Sequence, residues 1–200
     1  MIRSIIILAV VIIIPGIIYT QNPTDMRSRH EMVKENDTGN YKIQRSEKEW
    51  KDILEPDQYY VLRRAGTERA FTGLHYKTSK PGIYYSAATG QPLFASDSKF
   101  DSGCGWPSFF EPIVPDAILY RKDRSHGMVR TEIIDSGSGS HLGHVFDDGP
   151  PPTGLRYCMN SAAMIFVEKG DEEPAIVREY MDRIASDKEK EAVSSFLGSL

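Results

Sequence analysis

The sequence lacks several features that would each indicate a function. Its net charge is −4, and its lysines and arginines are scattered, so a basic nucleic-acid-binding surface is not indicated. No segment repeats at the period of a solenoid or propeller protein. Only two cysteines are present, and with the histidines they supply no obvious set of three or four ligands for a metal centre. The remaining composition is that of an ordinary soluble protein with one domain or at most two small ones.

Long apolar runs are absent except at the start of the chain. Arg3 precedes an apolar stretch from Ile5 to Ile18, which is short for a membrane span and is interrupted by Pro15-Gly16. A basic residue followed by such a run is typical of a secretory signal. We therefore assign residues 1–20 to a signal peptide or to an uncleaved membrane anchor through residues 5–18. Either assignment predicts an exported protein, periplasmic or secreted, in a compartment where disulfides persist.

Two short helices are predicted after a polar linker at residues 21–45. Ser46 and Glu49 fit a capping box that starts the first helix, and Pro56 ends it. Its apolar face consists of Trp50, Ile53 and Leu54. The second helix is predicted over residues 56–65, with Gly66 as its stop. Its apolar contacts are Tyr59, Tyr60 and Leu62.

The chain after Gly73 favours short strands separated by clusters of Gly, Pro, Asp and Ser. The predicted strands are Gly82–Ser86, Ile118–Tyr120, Met128–Ile134, His144–Phe146 and Met164–Val167. Such a pattern predicts a mainly β fold, a compact antiparallel domain that includes the N-terminal helices and spans residues 46–170. Residues 171–200 predict an amphipathic helical tail, because apolar residues recur there at helical spacing at Ile176, Tyr180 and Ile184.

The two cysteines lie among Gly, Trp, Arg, His and Asn rather than in apolar runs. Cys104 lies in Asp101-Ser-Gly-Cys-Gly-Trp-Pro-Ser-Phe109, and Cys158 lies in Arg156-Tyr-Cys-Met-Asn-Ser161. This setting indicates redox chemistry, in which one thiolate attacks and the other closes a disulfide behind it. A permanent disulfide is the alternative, and it would contribute about 4 kcal/mol in the chain-entropy model. The spacing of the cysteines does not decide between these interpretations.

A nucleophilic Cys158 needs a helper, because a thiol with a pKa of about 8.5 is only slightly ionised at neutral pH. The candidates are Arg156 and the pair His141 and His144, while Asn160 could hold a bound oxygen or water. Residues three apart on a strand face opposite sides, so we expect a glycine-bent loop to turn both imidazoles toward one centre. They are candidates for metal ligands, general acids or structural histidines, and an acid role fits a reaction that protonates an oxygen.

Two further residues have both a structural and a functional interpretation. Trp106 could simply belong to the core, but it follows Cys104 by two residues, and an indole face suits a methyl group or a sulfur. The segment from Asp147 to Pro150 is a turn by composition. One of its carboxylates could pair with Arg156, or both could be exposed turn residues.

Taken together, these segments resemble the methionine-R-sulfoxide reductase family of the B type. The matching blocks run in the family's order over about residues 46–168. The most specific are Lys99-Phe-Asp-Ser-Gly-Cys-Gly-Trp-Pro-Ser-Phe109, His141-Leu-Gly-His-Val-Phe-Asp-Asp-Gly-Pro150 and Pro152-Thr-Gly-Leu-Arg-Tyr-Cys-Met-Asn-Ser-Ala-Ala163.

The resemblance implies an oxidoreductase that reduces the R epimer of methionine sulfoxide, mainly in oxidised proteins or peptides. It places the nucleophile at Cys158 and the resolving cysteine at Cys104. The residues that it places around the sulfoxide are Trp106, His141, His144 and Asn160, with Asp148 and Arg156 as a supporting charged pair. A thioredoxin-like dithiol would reduce the resulting disulfide. Cytosolic thioredoxin cannot reach an exported domain, so we expect a partner specific to the compartment.

The sequence departs from the family at one place. Many members carry two Cys-x-x-Cys pairs that bind a structural zinc, and the corresponding positions here are Ser86, Thr89, Asp135 and Ser138. Hydroxyl groups are not zinc ligands of the thiolate kind. We therefore expect a zinc-free form with no cofactor and a plain turn from Asp135 to Ser140. Core packing or the C-terminal helix is expected to offset the missing metal.

Two other function classes compete with this interpretation. One is an exported β domain, held by a disulfide, that binds oxidised peptides without turnover. The other is a general thiol-disulfide enzyme, which is disfavoured because the cysteines do not form a close Cys-x-x-Cys pair.

Overall fold

The structure is a computed structural model that describes residues 33–198. The leader predicted at residues 1–20 and the linker residues 21–32 lie outside the described residues, so these assignments stay predictions. Within the described range, no helix has the length and apolar character needed to cross a membrane.

Two short helices precede the sheets, α1 (Glu47–Ile53) and α2 (Pro56–Arg64). The predicted capping box is present, since Ser46 and Glu49 bond to each other's backbone N–H groups. The predicted apolar face of α1 is wrong at Ile53, which is 48% exposed, whereas Trp50 and Leu54 are buried. Trp50 and Leu54 are four residues apart and therefore lie on the same face of the helix, which packs on the core. Ile53 lies beside this face and points away from the core.

The second helix ends at Arg64, one residue before its predicted last residue. Ala65 adopts the left-handed conformation with φ of 50°, and Gly66 follows it. A Cβ atom at Gly66 would lie 2.3 Å from the Tyr60 ring, so the glycine allows the chain to pass close to this side chain. Tyr60 is 55% exposed, while Leu62 is buried as expected.

The strands in the described part of the chain form two sheets in which all neighbours are antiparallel. The three-stranded sheet has the order β2-β1-β9 and contains β1 (Gly82–Ser86), β2 (Pro92–Ala95) and β9 (Met164–Glu168). The larger sheet has the order β3-β4-β8-β7-β6-β5. Its strands are β3 (Lys99–Phe100), β4 (Ser108–Phe109), β5 (Ile118–Asp123), β6 (Arg130–Asp135), β7 (His141–Phe146) and β8 (Arg156–Met159).

The mainly antiparallel β fold is confirmed. A strand is present at each of the five predicted places. Its bounds match the prediction for β1, whereas β5, β6, β7 and β9 differ at one or both ends from the predicted ranges. The strands β2, β3, β4 and β8 were not predicted, because two to four residues are too few to show an alternating pattern.

Aromatic side chains from both sheets meet in the core. Phe94 on β2 stacks on Phe109 on β4 with a centroid distance of 4.4 Å, and Tyr84 on β1 meets Phe109 edge-on at 4.9 Å. Successive strand residues point to opposite faces, so burial of Phe109 directs Ser108 to the other face of β4. Ser108 is paired with Cys158 on the adjacent strand β8, which places it in the candidate site.

The described end of the predicted linker is attached to the domain. Asn36 exchanges hydrogen bonds with the backbone of Tyr120 on the edge strand β5, at 2.7 and 3.2 Å. Asp37 forms an ion pair with Arg121 at 2.7 Å on the same strand. This segment therefore covers an otherwise open sheet edge, which limits pairing with other chains.

The C-terminal tail consists of two helices rather than one, α3 (Ala175–Arg183) and α4 (Asp187–Gly198). The break was recognisable, because Ser186 and Glu189 have the spacing of a capping box and form one. Both helices pack on the smaller sheet, and the buried cluster contains Ile83, Tyr85, Val167, Val177 and Val193. Tyr180 is 1% exposed and donates a hydrogen bond to Glu189 at 3.0 Å. The tail is therefore part of the domain.

We predict that Tyr180→Ala lowers the free energy of unfolding by about 3–5 kcal/mol, because it removes a buried ring and leaves a cavity. Tyr60→Ala is the matched control, since the same atoms are removed from an exposed position, and a change within about 1 kcal/mol is expected. Urea unfolding followed by circular dichroism measures both values. Equal losses in the two variants would contradict the packing of the tail.

Candidate active site

The fold brings the two cysteines into contact. Cys158 lies on β8 and Cys104 in the loop between β3 and β4, and their Sγ atoms are 3.6 Å apart although the residues are 54 positions apart. Both are free thiols and half-buried. A disulfide needs about 2.0 Å between the sulfurs, so a small movement of the Cys104 loop would join them.

Hydroxyl groups surround the Cys104 sulfur. Ser102 Oγ donates to Cys104 Sγ at 3.0 Å, and Ser108 Oγ lies 3.5 Å from it. Burial alone would raise the pKa of Cys104, but the hydrogen bonds from Ser102 and Ser108 to the thiolate outweigh burial and lower it. Gly105 has φ of 95°, and a Cβ there would lie 2.8 Å from the Cβ of Ala70, so this tight turn requires glycine.

The Cys158 thiol is harder to ionise. Burial and the neighbouring Cys104 raise the pKa of Cys158 to about 12, although Arg156 acts in the opposite direction. The first ionisation of the pair therefore belongs to Cys104. Because the thiolate is the nucleophile, attack by Cys158 requires removal of its proton when a substrate arrives.

Both candidate histidines lie on strand β7. The expectation of a glycine-bent loop is wrong, because His141 and His144 belong to a strand whose register with β6 shifts by one residue beside them. Such a bulge changes the alternation of side chains, so residues three apart can share a face. The two rings meet edge-on with centroids 5.4 Å apart. His144 is also the direct cross-strand partner of Cys158.

Each histidine is held by a carboxylate that the sequence reasoning missed. His141 Nδ1 lies 2.7 Å from Glu132 Oε1, and His144 Nε2 lies 2.8 Å from Asp123 Oδ2. The available signal for Glu132 was an acidic residue inside the predicted strand Met128–Ile134. A carboxylate partner fixes the tautomer and the orientation of an imidazole.

The two histidines differ in whether their Nε2 atom has a hydrogen-bond partner. His141 Nε2 is buried and has no hydrogen-bond partner among the described residues. Burial lowers the pKa of His144, and the nearby Arg130 and His141 lower it further, although Asp123 opposes them. Burial alone would raise the pKa of Asp123, but hydrogen bonds from Ser125, His144 and Arg130 outweigh burial and lower it. His144 is therefore uncharged at neutral pH and donates its Nε2–H to an ionised Asp123.

The indole and the amide of the candidate site are fixed by protein contacts. Trp106 is half-buried, lines a cavity of about 440 Å³, and donates from Nε1 to the carbonyl of Glu68 at 3.1 Å. Asn160 is 3% exposed, donates to the carbonyl of Leu142 at 3.0 Å and accepts from the N–H of Glu68 at 3.1 Å. One Nδ2 hydrogen of Asn160 is left for a bound oxygen.

Arg156 and Asp148 form the ion pair considered from the sequence. Arg156 Nε and Nη2 each donate to one oxygen of Asp148 at 2.8 Å, a bidentate arrangement that holds the guanidinium in place. This bonding by Arg156 lowers the pKa of Asp148. The guanidinium also lies over the ring of Phe146 with its carbon 4.3 Å from the ring centroid. The pair places a fixed positive charge two residues from Cys158.

The four positions that the resemblance is expected to match to zinc ligands come together around one buried carboxylate. Asp135 accepts hydrogen bonds from the hydroxyls of Ser86 and Thr89 and from the N–H groups of Gly137 and Ser138. Burial raises the pKa of Asp135. Residues 136–138 form the expected turn, but the turn is part of a polar cluster rather than a plain connection.

This cluster does not fit a zinc ion. Its side chains are hydroxyls and one carboxylate that bond to one another, and no group of three His, Cys, Asp or Glu suited to a metal occurs within residues 33–198. Helix α4 closes the cluster from outside, because Gln91 Nε2 donates both to Ser136 Oγ at 2.8 Å and to the buried Glu189 at 2.9 Å.

The coupling of the two thiols leads to a prediction. In Cys104→Ser the midpoint pH for alkylation of Cys158 by iodoacetamide should fall, because the negative neighbour that raises its pKa is gone. At a fixed pH below the midpoint, the thiolate fraction grows about tenfold for every pH unit by which the midpoint falls. Arg156→Gln should move the midpoint the other way. Mass spectrometry of the Cys158 peptide over a pH series measures it, and an unchanged or higher midpoint in Cys104→Ser would refute the coupling.

Comparison with known proteins identifies the family of this chain. The SelR domain family matches residues 54–168. The protein named peptide methionine sulfoxide reductase MsrB from Agrobacterium fabrum is 55% identical over 125 residues, which cover 62% of this chain and 93% of that protein. Proteins of the same name from Leptospira interrogans and Methanosarcina mazei are 55% and 53% identical over 127 and 130 residues, covering 64% and 65% of this chain and 97% and 93% of theirs. The chain therefore belongs to the methionine-R-sulfoxide reductase B family.

Proposed function

We infer that this chain reduces methionine-R-sulfoxide to methionine, and we propose that Cys158 is the nucleophile and Cys104 the resolving cysteine. The observation that carries the proposal is the 3.6 Å contact between the sulfurs of Cys104 and Cys158, together with the cross-strand pairing of Cys158 with His144. A nucleophilic thiol, imidazoles that hold or deliver protons and a second thiol within reach are the groups that sulfoxide reduction needs.

His141 is the group that we propose to hold the sulfoxide oxygen and supply its proton. Its Nε2 atom is buried and has no partner among residues 33–198, while Glu132 binds the opposite nitrogen. A buried polar atom without a partner is costly, so a substrate oxygen at this position would satisfy it. His144 is less suited as the acid, because it is uncharged and its Nε2–H is bonded to Asp123.

The sulfur chemistry then balances in two steps. Cys158 gives up its proton as the sulfoxide oxygen gains one, and its sulfur attacks the substrate sulfur. The oxygen passes to Cys158 as a sulfenic acid and methionine leaves, so the substrate sulfur is reduced by two electrons and Cys158 is oxidised by two. Cys104, which carries the more acidic thiol, attacks the sulfenic acid, forms the Cys104–Cys158 disulfide and releases water.

Trp106 and the charged pair have supporting roles in this proposal. Trp106 belongs to the loop between β3 and β4 that also carries Cys104. Its indole offers an apolar face for the methyl group of the sulfoxide. Arg156, held by Asp148, places positive charge near the sulfur that must become anionic during attack.

The partners and the compartment are proposed from the same chemistry. The substrate is an oxidised methionine within a protein or peptide, and a thioredoxin-like dithiol returns the disulfide to two thiols. We propose that the domain works outside the cytosol, since the apolar run from Ile5 to Ile18 indicates export. The dithiol would then be one that acts in the same compartment.

Variants of the two cysteines separate their roles. Cys158→Ser should abolish turnover of the R epimer, because the nucleophile is gone. Cys104→Ser should still release one methionine per chain but should lose recycling by a dithiol protein. Steady-state and single-turnover assays with R and S methionine sulfoxide, using dithiothreitol as reductant, measure both effects. Sustained activity of Cys158→Ser, or preference of the wild-type protein for the S epimer, would reject the assignment.

We also propose that the polar cluster around Asp135 works without zinc. Support comes from the sequence, which holds two cysteines and so cannot supply four thiolates. Further support is the mutual hydrogen bonding of Ser86, Thr89 and Asp135, which leaves their oxygens occupied.

Elemental analysis tests the metal proposal. The full-length protein, purified without chelator, should contain no stoichiometric zinc, and incubation with ethylenediaminetetraacetic acid should leave its melting temperature unchanged. A relative that carries both Cys-x-x-Cys pairs serves as the control and should lose both zinc and stability. One equivalent of zinc in this chain would overturn the proposal.

A further inference from the structure

Glu68 lies in the loop after α2 and joins this loop to two residues of the candidate site. Its carbonyl oxygen accepts the Nε1–H of Trp106 at 3.1 Å, and its N–H donates to Asn160 Oδ1 at 3.1 Å. The orientation of the indole and of the amide therefore depends on where the backbone of Glu68 lies.

The side chain of Glu68 fixes that backbone. Its Oε1 atom accepts from the N–H of Ser161 at 2.6 Å, and its Oε2 atom accepts from the N–H of Ala162 at 3.0 Å. These N–H groups begin the short turn Ser161–Ala163, for which the preceding Asn160 provides no side-chain cap. A carboxylate from a segment 93 positions away therefore takes the place of a local cap. Hydrogen bonds of this charged kind are about twice as strong as neutral ones.

Close approach of the loop to this turn depends on Gly73. A Cβ atom at Gly73 would lie 2.3 Å from Ser161 Oγ and 2.5 Å from Glu68 Oε1. Any other residue at this position would therefore displace the Ser161 or the Glu68 side chain. The loop from residue 66 to residue 73 is thus clamped to the end of β8 at two places. Cys158 lies two residues before Asn160 on the same segment.

We propose that Glu68 is a positioning residue, which holds Trp106 and Asn160 in place relative to Cys158 and so sets affinity for the sulfoxide and discrimination between its epimers. This inference rests on the proposed function, because it assigns the indole and the amide to the substrate. Without the carboxylate, the N–H groups of Ser161 and Ala162 lose their partners and the loop moves. The Glu68 carbonyl that accepts from the indole and the Glu68 N–H that donates to the amide then move with it.

Three variants test the role of Glu68. Glu68→Gln keeps the shape of the side chain but leaves only one acceptor for two N–H groups. Glu68→Asp keeps both oxygens with a shorter reach and should recover part of the lost function. Glu179→Gln is the matched control, since it makes the same chemical change on α3 at a side chain that is 62% exposed.

Kinetics with dithiothreitol as reductant provide the first measurement. In Glu68→Gln, kcat/KM for the R epimer should fall about 10- to 100-fold, the loss expected when reacting groups move by about 1 Å. Most of the loss should appear in KM, and the ratio of R to S turnover should fall. Glu68→Asp should lie between Glu68→Gln and the wild type, and Glu179→Gln should match the wild type. Circular dichroism verifies that each variant is folded. If Glu68→Gln is not folded, the kinetics of Glu68→Asp are compared with those of the wild type instead.

Acrylamide quenching of Trp106 provides a readout independent of turnover. The contribution of Trp106 is obtained by subtracting the emission of Trp106→Phe made in each background, and its quenching should increase in Glu68→Gln. A folded Glu68→Gln with the wild-type KM, epimer ratio and quenching would overturn the proposal, even if its melting temperature were lower. If the wild-type protein reduced neither epimer, the proposed function would fail instead, while the quenching result would still decide whether Glu68 positions the indole.

Discussion

The pairing of strand β8 with β4 on one side and β7 on the other is the constraint on which the site depends. Antiparallel pairing puts Ser108 and His144 directly across from Cys158, so the three side chains share one face of the sheet. The aromatic core formed by Phe94 and Phe109 keeps β4 in this register, because a slip by one residue would turn Phe109 outward. The positions of the reacting groups thus follow from backbone hydrogen bonds and core packing together.

Carboxylates that are buried or half-buried orient the polar groups around this frame. Glu132 and Asp123 each hold one histidine, Glu68 holds the turn after Asn160, and Asp135 accepts from the hydroxyls of Ser86 and Thr89. In each case an acceptor with two oxygens satisfies donors that burial would otherwise leave unpaired. These hydrogen bonds hold the side chains and turns of the site in a fixed geometry.

Much of the fold was accessible from the sequence because its signals are local. The capping box at Ser46, the strand Gly82–Ser86 and the helical spacing around Tyr180 each depend on residues close in the chain. The strand that carries Cys158 was missed, since the four residues of β8 are too few for their alternation to be recognised in the sequence. The contact between the cysteines and the shared face of the histidines were also out of reach of spacing alone. The contact between the cysteines depends on the tertiary structure, and the shared face of the histidines depends on a bulge in β7.

The most direct test of the paired-thiol chemistry omits any external reductant. Reduced protein is mixed with an excess of methionine-R-sulfoxide, and released methionine, free thiols and cysteine linkages are measured in the same quenched samples. We expect one methionine per chain, loss of both thiols and a peptide map in which Cys104 is joined to Cys158 within one chain. Methionine released while both thiols persist, or a disulfide formed only between chains, would contradict this chemistry.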